Sequence, residues 1–170
     1  MVAELVEEIN RFRANPIGYA DKIRQHMKYI TKGDDGKLLY KDGDTKAALT
    51  KGEEAFNSCI EILSRISPLP PLEASEEYRV EVPEDPDSQI KQGSTLFGEL
   101  KKSCPHKNLA FFLDIGSTKI ETIIVLQLVD DTKNNGNRRN NLIDQKFKSI
   151  GISMKKGKGK NYTFYFTFAN

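Results

Sequence analysis

Every second residue from Tyr162 to Phe168 is aromatic: Tyr162, Phe164, Phe166 and Phe168 alternate with Thr163, Tyr165 and Thr167. That is the period of a β-strand, whose successive side chains point to opposite faces. Upstream, Ile150, Ile152 and Met154 alternate with small or polar residues in the same way. The intervening KKGKGKN holds two glycines and four lysines, the composition of a solvated hairpin turn, so the two strands are expected to be antiparallel. A strand with phenylalanine at alternate positions has one face that must be covered. The rest of the chain supplies mainly helices for that purpose.

From Val2 to Ala14 apolar residues fall at Val2, Leu5, Val6, Ile9 and Phe12, a helical stripe backed by glutamates and arginines. Asn15-Pro16 ends that helix and opens the next, which the pattern predicts from Ile17 to about Ile30. His26 lies beside its apolar stripe with no second ligand one turn away, which points to a packing or surface role. Residues 31–50, rich in glycine and aspartate, read as a surface excursion with a brief hairpin, and their acidic residues lack the spacing of a calcium loop. Thr50 and Glu53 form a candidate capping box for a helix running to about Ile66, stopped by Pro68, Pro70 and Pro71.

Residues 72–92 are acidic and proline-containing and suggest little beyond a short helical turn. Ser94 or Thr95 is a candidate cap for a helix through Lys102, and residues 109–116, LAFFLDIG, read as a buried strand. In the run 118–131 the β-branched residues favour a strand, while its length and the Ser117-Thr118 cap favour a helix buried on most sides, and helix is the reading taken because the solvated polar segment TKNNGNRRNN follows. Helices, a strand, a helix and a hairpin in that order give an α+β class with helices on an antiparallel sheet. Residues 1–170 have the length of one domain with a real core.

A net charge of +2 makes no strong electrostatic claim on nucleic acid, and the basic patch at Arg138, Arg139 and the lysine-rich turn is short, so no nucleic-acid partner is expected. No run approaches the roughly 18 apolar residues of a transmembrane helix, and MVAELVEEIN lacks the features of a signal peptide. Cys59 and Cys104 fit neither a disulfide framework nor a metal pattern and are expected to be unpaired.

Gly136-Asn137-Arg138-Arg139-Asn140-Asn141-Leu142, followed by Phe147-Lys148-Ser149-Ile150-Gly151-Ile152, resembles the CAP superfamily, also called the SCP-like domain, whose signature there is G-H-R-x-N-I-L and then F-x-x-I/V-G-I/V-G. Ile9-Asn10-x-x-Arg13-x-Asn15-Pro16-x-x-Tyr19-Ala20 and Pro68-Leu69-Pro70-Pro71-Leu72 resemble two further motifs of the family, in the right order. The resemblance implies an α-β-α sandwich with a central antiparallel sheet flanked by helices. It also implies a secreted protein, with a cytoplasmic one as the alternative, and a cavity in which two histidines and two acidic residues bind a divalent metal.

This chain departs from that pattern: Asn137 stands where the family has histidine, Lys107 where it has glutamate, and no histidine lies near Gln89 to Gln92. The remaining acidic position falls at Asp130 or Asp131. The site is read as degenerate, with no metal, no cofactor and no catalytic residue, since an ammonium at position 107 would repel the cation. Arg139 and Asn140 are expected to hydrogen-bond the turn entering the hairpin. The favoured function is a monomeric, non-catalytic binding module for a lipid, a sterol or a protein. The alternative is an interaction subunit of a larger assembly, while a metal-dependent or serine hydrolase lacks the residues it would need.

Overall fold

The computed structural model describes residues 1–105, 107–116, 118–132, 136–157 and 161–170. The chain is of the α+β class, with helices on both faces of a four-stranded sheet and a separate three-stranded sheet. The first helix, α1 (Val2–Ala14), buries Leu5, Ile9 and Phe12 completely. Asn15 then caps α2 (Pro16–His26), its side chain accepting the Gly18 N–H at 2.9 Å, with Pro16 preset for the first turn. The second helix stops short of Ile30. Met27–Tyr29 tighten into a 3-10 turn, and Ile30 is drawn into β1 (Ile30–Lys32) by pairing with Tyr40. Residues 31–50 are thus a small antiparallel sheet, with β2 (Leu38–Asp42) between β1 and β3 (Thr45–Ala48).

The third helix, α3 (Glu53–Leu63), buries Phe56, Cys59, Ile60 and Leu63 as its pattern predicts, and ends before Ile66, which is half-buried against the core. Its start corrects the expected capping box, since Gly52 holds the capping position and no side-chain bond from Thr50 or Glu53 forms there. Residues 72–92 contain a two-residue strand, β4 (Glu73–Ala74), and a short helix, α4 (Pro86–Lys91). The helix after it, α5 (Gly93–Ser103), begins from Gln92 without a side-chain cap, so neither Ser94 nor Thr95 serves that role.

The strand β5 (Leu109–Ile115) and the helix α6 (Ile120–Val129) follow the sequence reading, although Ser117 of the expected cap lies outside the described residues and Lys119 occupies the capping position. Part of the segment read as solvated and polar folds as α7 (Asn137–Ile143). It is short and rich in asparagine, a poor helix former. What holds it is tertiary: Gly136 turns the chain at φ 81°, and Leu142 is completely buried.

The hairpin is formed by β6 (Ser149–Lys156) and β7 (Tyr162–Ala169), antiparallel, with part of its turn outside the described residues. The sheet order is β4-β6-β7-β5; β4 joins β6 in parallel, the other pairings being antiparallel. The register Phe112–Phe166–Ile152 lines side chains across three strands on one face. That face shares a core with residues of α1, α3 and α6, including Leu5, Ile9, Phe56 and Ile124. The other face carries Gly151, Ser153, Thr163 and Tyr165 and is covered by residues 78–84, α4 and α5. There the Tyr165 hydroxyl donates to Gln89 O, Phe97 stacks on Phe111 at 5.1 Å, and the Val80 N–H reaches Ser153 Oγ at 3.0 Å. Position 151 admits only glycine, because a Cβ would collide with the Tyr78–Arg79 backbone lying over it.

The paired motifs near the N-terminus and around Leu72 form a clamp. Asn10 both donates to Leu72 O at 2.9 Å and accepts Leu72 N–H at 2.8 Å, pairing with that peptide like a neighbouring strand. Arg13, completely buried, donates from Nε to Pro70 O and from Nη1 to Leu142 O, each at 2.7 Å. One arginine therefore joins α1, the proline segment and the end of α7.

Candidate functional site

Of the positions expected to form a cavity, Asp130, Asp131 and Asn137 cluster at the junction of α6 and α7, where the two carboxylates are engaged by backbone N–H groups. Asp130 ends α6 in the left-handed region at φ 47° and is buried; its carboxylate accepts the Arg138 N–H at 2.9 Å and the Thr132 hydroxyl at 2.7 Å. It thereby caps α7, where an anion is favoured by the unpaired N–H groups of the first turn. Asp131 holds the turn that leads into α3, accepting the N–H groups of Thr50, Lys51 and Gly52 at 2.9 to 3.1 Å, the last of them at the capping position. This carboxylate, distant in sequence, replaces the local capping box.

Arg139 donates to Leu128 O and Val129 O at 3.3 and 3.2 Å, tying α7 to the C-terminal end of α6 rather than to the hairpin turn. Asn140 is exposed and contributes its backbone N–H to Gly136 O, a helical bond that any residue there would make. Asn137 is exposed at the start of α7 and borders a small cavity with Phe111, Leu113 and Asn141. Lys107 is exposed ahead of β5 and lines none of the cavities around α6 and α7. The structure thus brings Asp130, Asp131, Asn137 and Arg139 to one junction and leaves Lys107 apart. His106 lies outside the described residues, among which no group of three or more His, Cys, Asp or Glu is placed to hold a metal ion.

A carboxylate not singled out from the sequence lies close by. Asp114, near the end of β5, accepts from Gln127 Nε2 at 2.6 Å, and Gln127 Oε1 in turn accepts from Arg138 at 3.0 Å. The three border a cleft of about 270 Å³ that Asp131 also lines. Asp114 Oδ2 is buried and has no hydrogen-bond partner among the described residues. Burial pushes the carboxyl above its ordinary range, with Arg138 and Gln127 opposing the shift. The signal was present in LAFFLDI: alternation puts Asp114 on the face of Phe112, an acid at a core-facing position.

A carboxyl whose pKa is raised on folding favours the native state at low pH, and that contribution is lost as pH rises through the folded value. Asp114→Asn removes the ionisation while keeping an acceptor for Gln127. The variant should melt at a higher temperature than wild type at about pH 7, with the gap closing towards about pH 4. Melting curves across that range decide it, and a gap that does not change with pH would contradict the desolvated carboxyl.

His26 is buried, with Nδ1 2.6 Å from the Tyr40 hydroxyl and Nε2 2.8 Å from Glu121 Oε1. Lys22 continues the network by bridging Glu121 at 2.8 Å and the buried Glu8 at 3.0 Å. A tyrosine, a histidine and a glutamate in series have the form of a proton relay. Tyr40, however, is completely buried, so no substrate reaches it, and the network instead fastens α2 to the small sheet and to α6. The two cysteines are free thiols; Cys59 is buried and donates to Leu128 O at 3.2 Å, and burial pushes its thiol up to about 12, out of the range of a reactive nucleophile.

A larger groove, of about 760 Å³, runs beside β6, between residues 79–84, α5 and the first residues of α1. Val80, Val82, Leu96, Leu100 and Met154 give it an apolar floor, with Arg79, Glu81, Glu99 and Lys155 on its margins. Sequence reasoning missed it because the segment reads as little beyond a helical turn, although Tyr78, Val80 and Val82 alternate with the charged Arg79 and Glu81. Residues 79–84 lie against the sheet through bonds such as that of Val80 to Ser153, which connects positions 73 residues apart. Among the described residues no helix is long and apolar enough to cross a membrane. Compared with protein-family models, with curated proteins and with solved structures, the chain finds no match.

Proposed function

We propose that the chain is a divergent CAP-like domain that binds a ligand without transforming it, the ligand lying in the groove beside β6. The observation that carries this reading is the groove itself: a concave, part-apolar surface of about 760 Å³ with charges of both signs at its margins. Two features support the family assignment, namely the helices on both faces of the sheet and the clamp that Asn10 and Arg13 place on the proline segment. The degenerate cavity supports a non-catalytic role, since Asp130 and Asp131 are occupied by backbone N–H groups at the start of α7 and ahead of α3, and Lys107 and Asn137 replace the ligands the family would use.

The test compares wild type with Leu96→Arg/Leu100→Arg, two half-buried positions on α5 whose enlargement fills the groove. Both proteins are incubated with a mixed lipid and peptide extract, and what they retain is identified by native mass spectrometry. Wild type should hold a species that the double variant loses. Equal retention by both, or none by either, overturns the reading.

A further inference from the structure

The edge of β6 is only partly paired. Residues of this strand alternate between facing β7 and facing away from it, and Ile150, which faces away, accepts the Ser75 N–H at 2.9 Å from the end of β4. At the far end, Lys156 O accepts from Gln89 Nε2 at 3.1 Å. Ile152 and Met154 lie between these anchors and turn their backbone groups to the same side, because β4 pairs with Ser149 and Ile150 alone. Among the described residues no hydrogen bond reaches the N–H or C=O of either from that side.

Both residues line the groove, and Ile152 is only 2% exposed. Backbone groups at so buried a position ordinarily have partners. A strand edge that lines a groove and has no bulge or proline is a template for another strand. Charge narrows the choice of partner. Arg79 and Lys155 on the margin are already paired with Glu76 and Glu84, whereas Glu81 and Glu99 are exposed and in no ion pair among the described residues. The field left over is negative.

Resting on the groove as the binding surface, we infer that its ligand is an extended, basic peptide segment that adds a strand to β6 at Ile152 and Met154. Its backbone would complete the ladder, its alternate apolar side chains would meet Val82 and Leu100, and its basic residues would face Glu81 and Glu99. A sterol or an acyl chain would leave the same two peptide groups unmatched, which argues against it as the occupant.

The probes are acetylated, amidated heptapeptides alternating valine with lysine or with glutamate, titrated by fluorescence anisotropy and followed by amide hydrogen exchange. The lysine form should bind at least about tenfold more tightly than the glutamate form at low ionic strength, where the two exposed carboxylates are least screened. It should slow exchange at the Ile152 and Met154 amides. N-methylation of the peptide amides facing β6 should weaken binding at least about tenfold, because it removes the ladder bonds and leaves the side chains in place.

Glu81→Lys/Glu99→Lys changes two exposed residues without threatening the fold and should reverse the charge preference. Undiminished binding of the N-methylated peptide, or unchanged exchange at the two amides, overturns strand addition while leaving the groove reading intact. Retention of a lipid by wild type together with no binding of either peptide overturns it as well. Slow exchange at both amides in a self-associated protein without peptide would assign the edge to a second copy of the chain and overturn the peptide proposal.

Discussion

Phe166→Ala should destabilise the chain by about 3–5 kcal/mol, the range for removing a buried aromatic side chain and leaving a cavity behind. Phe166 is completely buried at the centre of β7, between β5 and β6. Its ring stacks on Phe112 at 4.7 Å, lies 6.3 Å from Phe164, and is opposed across the hairpin by Ile152. A strand hydrogen-bonded on both sides cannot move inward to fill the space, so the cavity persists and the loss falls at the upper part of the range. In a domain of this size the melting temperature should fall by about 6–20 °C. Thermal melts of the variant beside wild type measure it. A fall of less than about 3 °C would show that this face is not the packed core.

The same phenylalanines show why part of the architecture was readable before any coordinates. Period-2 alternation of large aromatics has one solution, a strand with a covered face, and the pairing of Phe112, Phe166 and Ile152 across three strands follows from it. The α1 stripe was equally legible, because its side chains alone determine which surface must be hidden, whereas the β-branched run of α6 also suits a strand and only its length and expected cap favour a helix. What failed to show was whatever depends on a partner far along the chain. The turn leading into α3 is held by Asp131, about 80 residues from the N–H groups it receives, whereas the local pattern points to Thr50 and Glu53. The helix α7 has little intrinsic propensity and forms because Asp130 and the buried Leu142 hold it.

The candidate site divides along the same line. Asp130, Asp131, Asn137 and Arg139 do meet at one junction, as their closeness in sequence suggests, yet Asp130, Asp131 and Arg139 are engaged in holding helix ends and Asn137 is exposed. Asp114 was detectable as an acid on the inward face of an apolar strand. The groove was not, because it arises where residues 79–84 cross a sheet face, a placement set by contacts far apart in the chain, and leave one strand edge open.

Arg13→Leu should destabilise the chain by about 2–6 kcal/mol, from two carbonyl groups left without a donor at about 1–3 kcal/mol each. The guanidinium supplies planar, fixed donors to Pro70 O and Leu142 O from the last turn of α1, and the side chain is completely buried, so water cannot replace it without opening the structure. Arg13→Lys keeps the charge but not the fork, and should fall between the variant and wild type. The loss should also be local in its first stage. Residues 69–72 are held by Arg13 and Asn10 together and lead directly into β4, so hydrogen exchange at the Glu73 and Ser75 amides should accelerate before the hairpin amides do. Asn10→Ala and Arg13→Leu act on one segment, and their effects on stability should not add. Additive losses, or uniform acceleration across β6 and β7, would mean that Arg13 contributes general packing and that the proline segment is held by other contacts. Coupled losses confined first to β4 would identify the arginine as the residue that keeps this segment against the sheet, and with it the point at which the β6 edge becomes open.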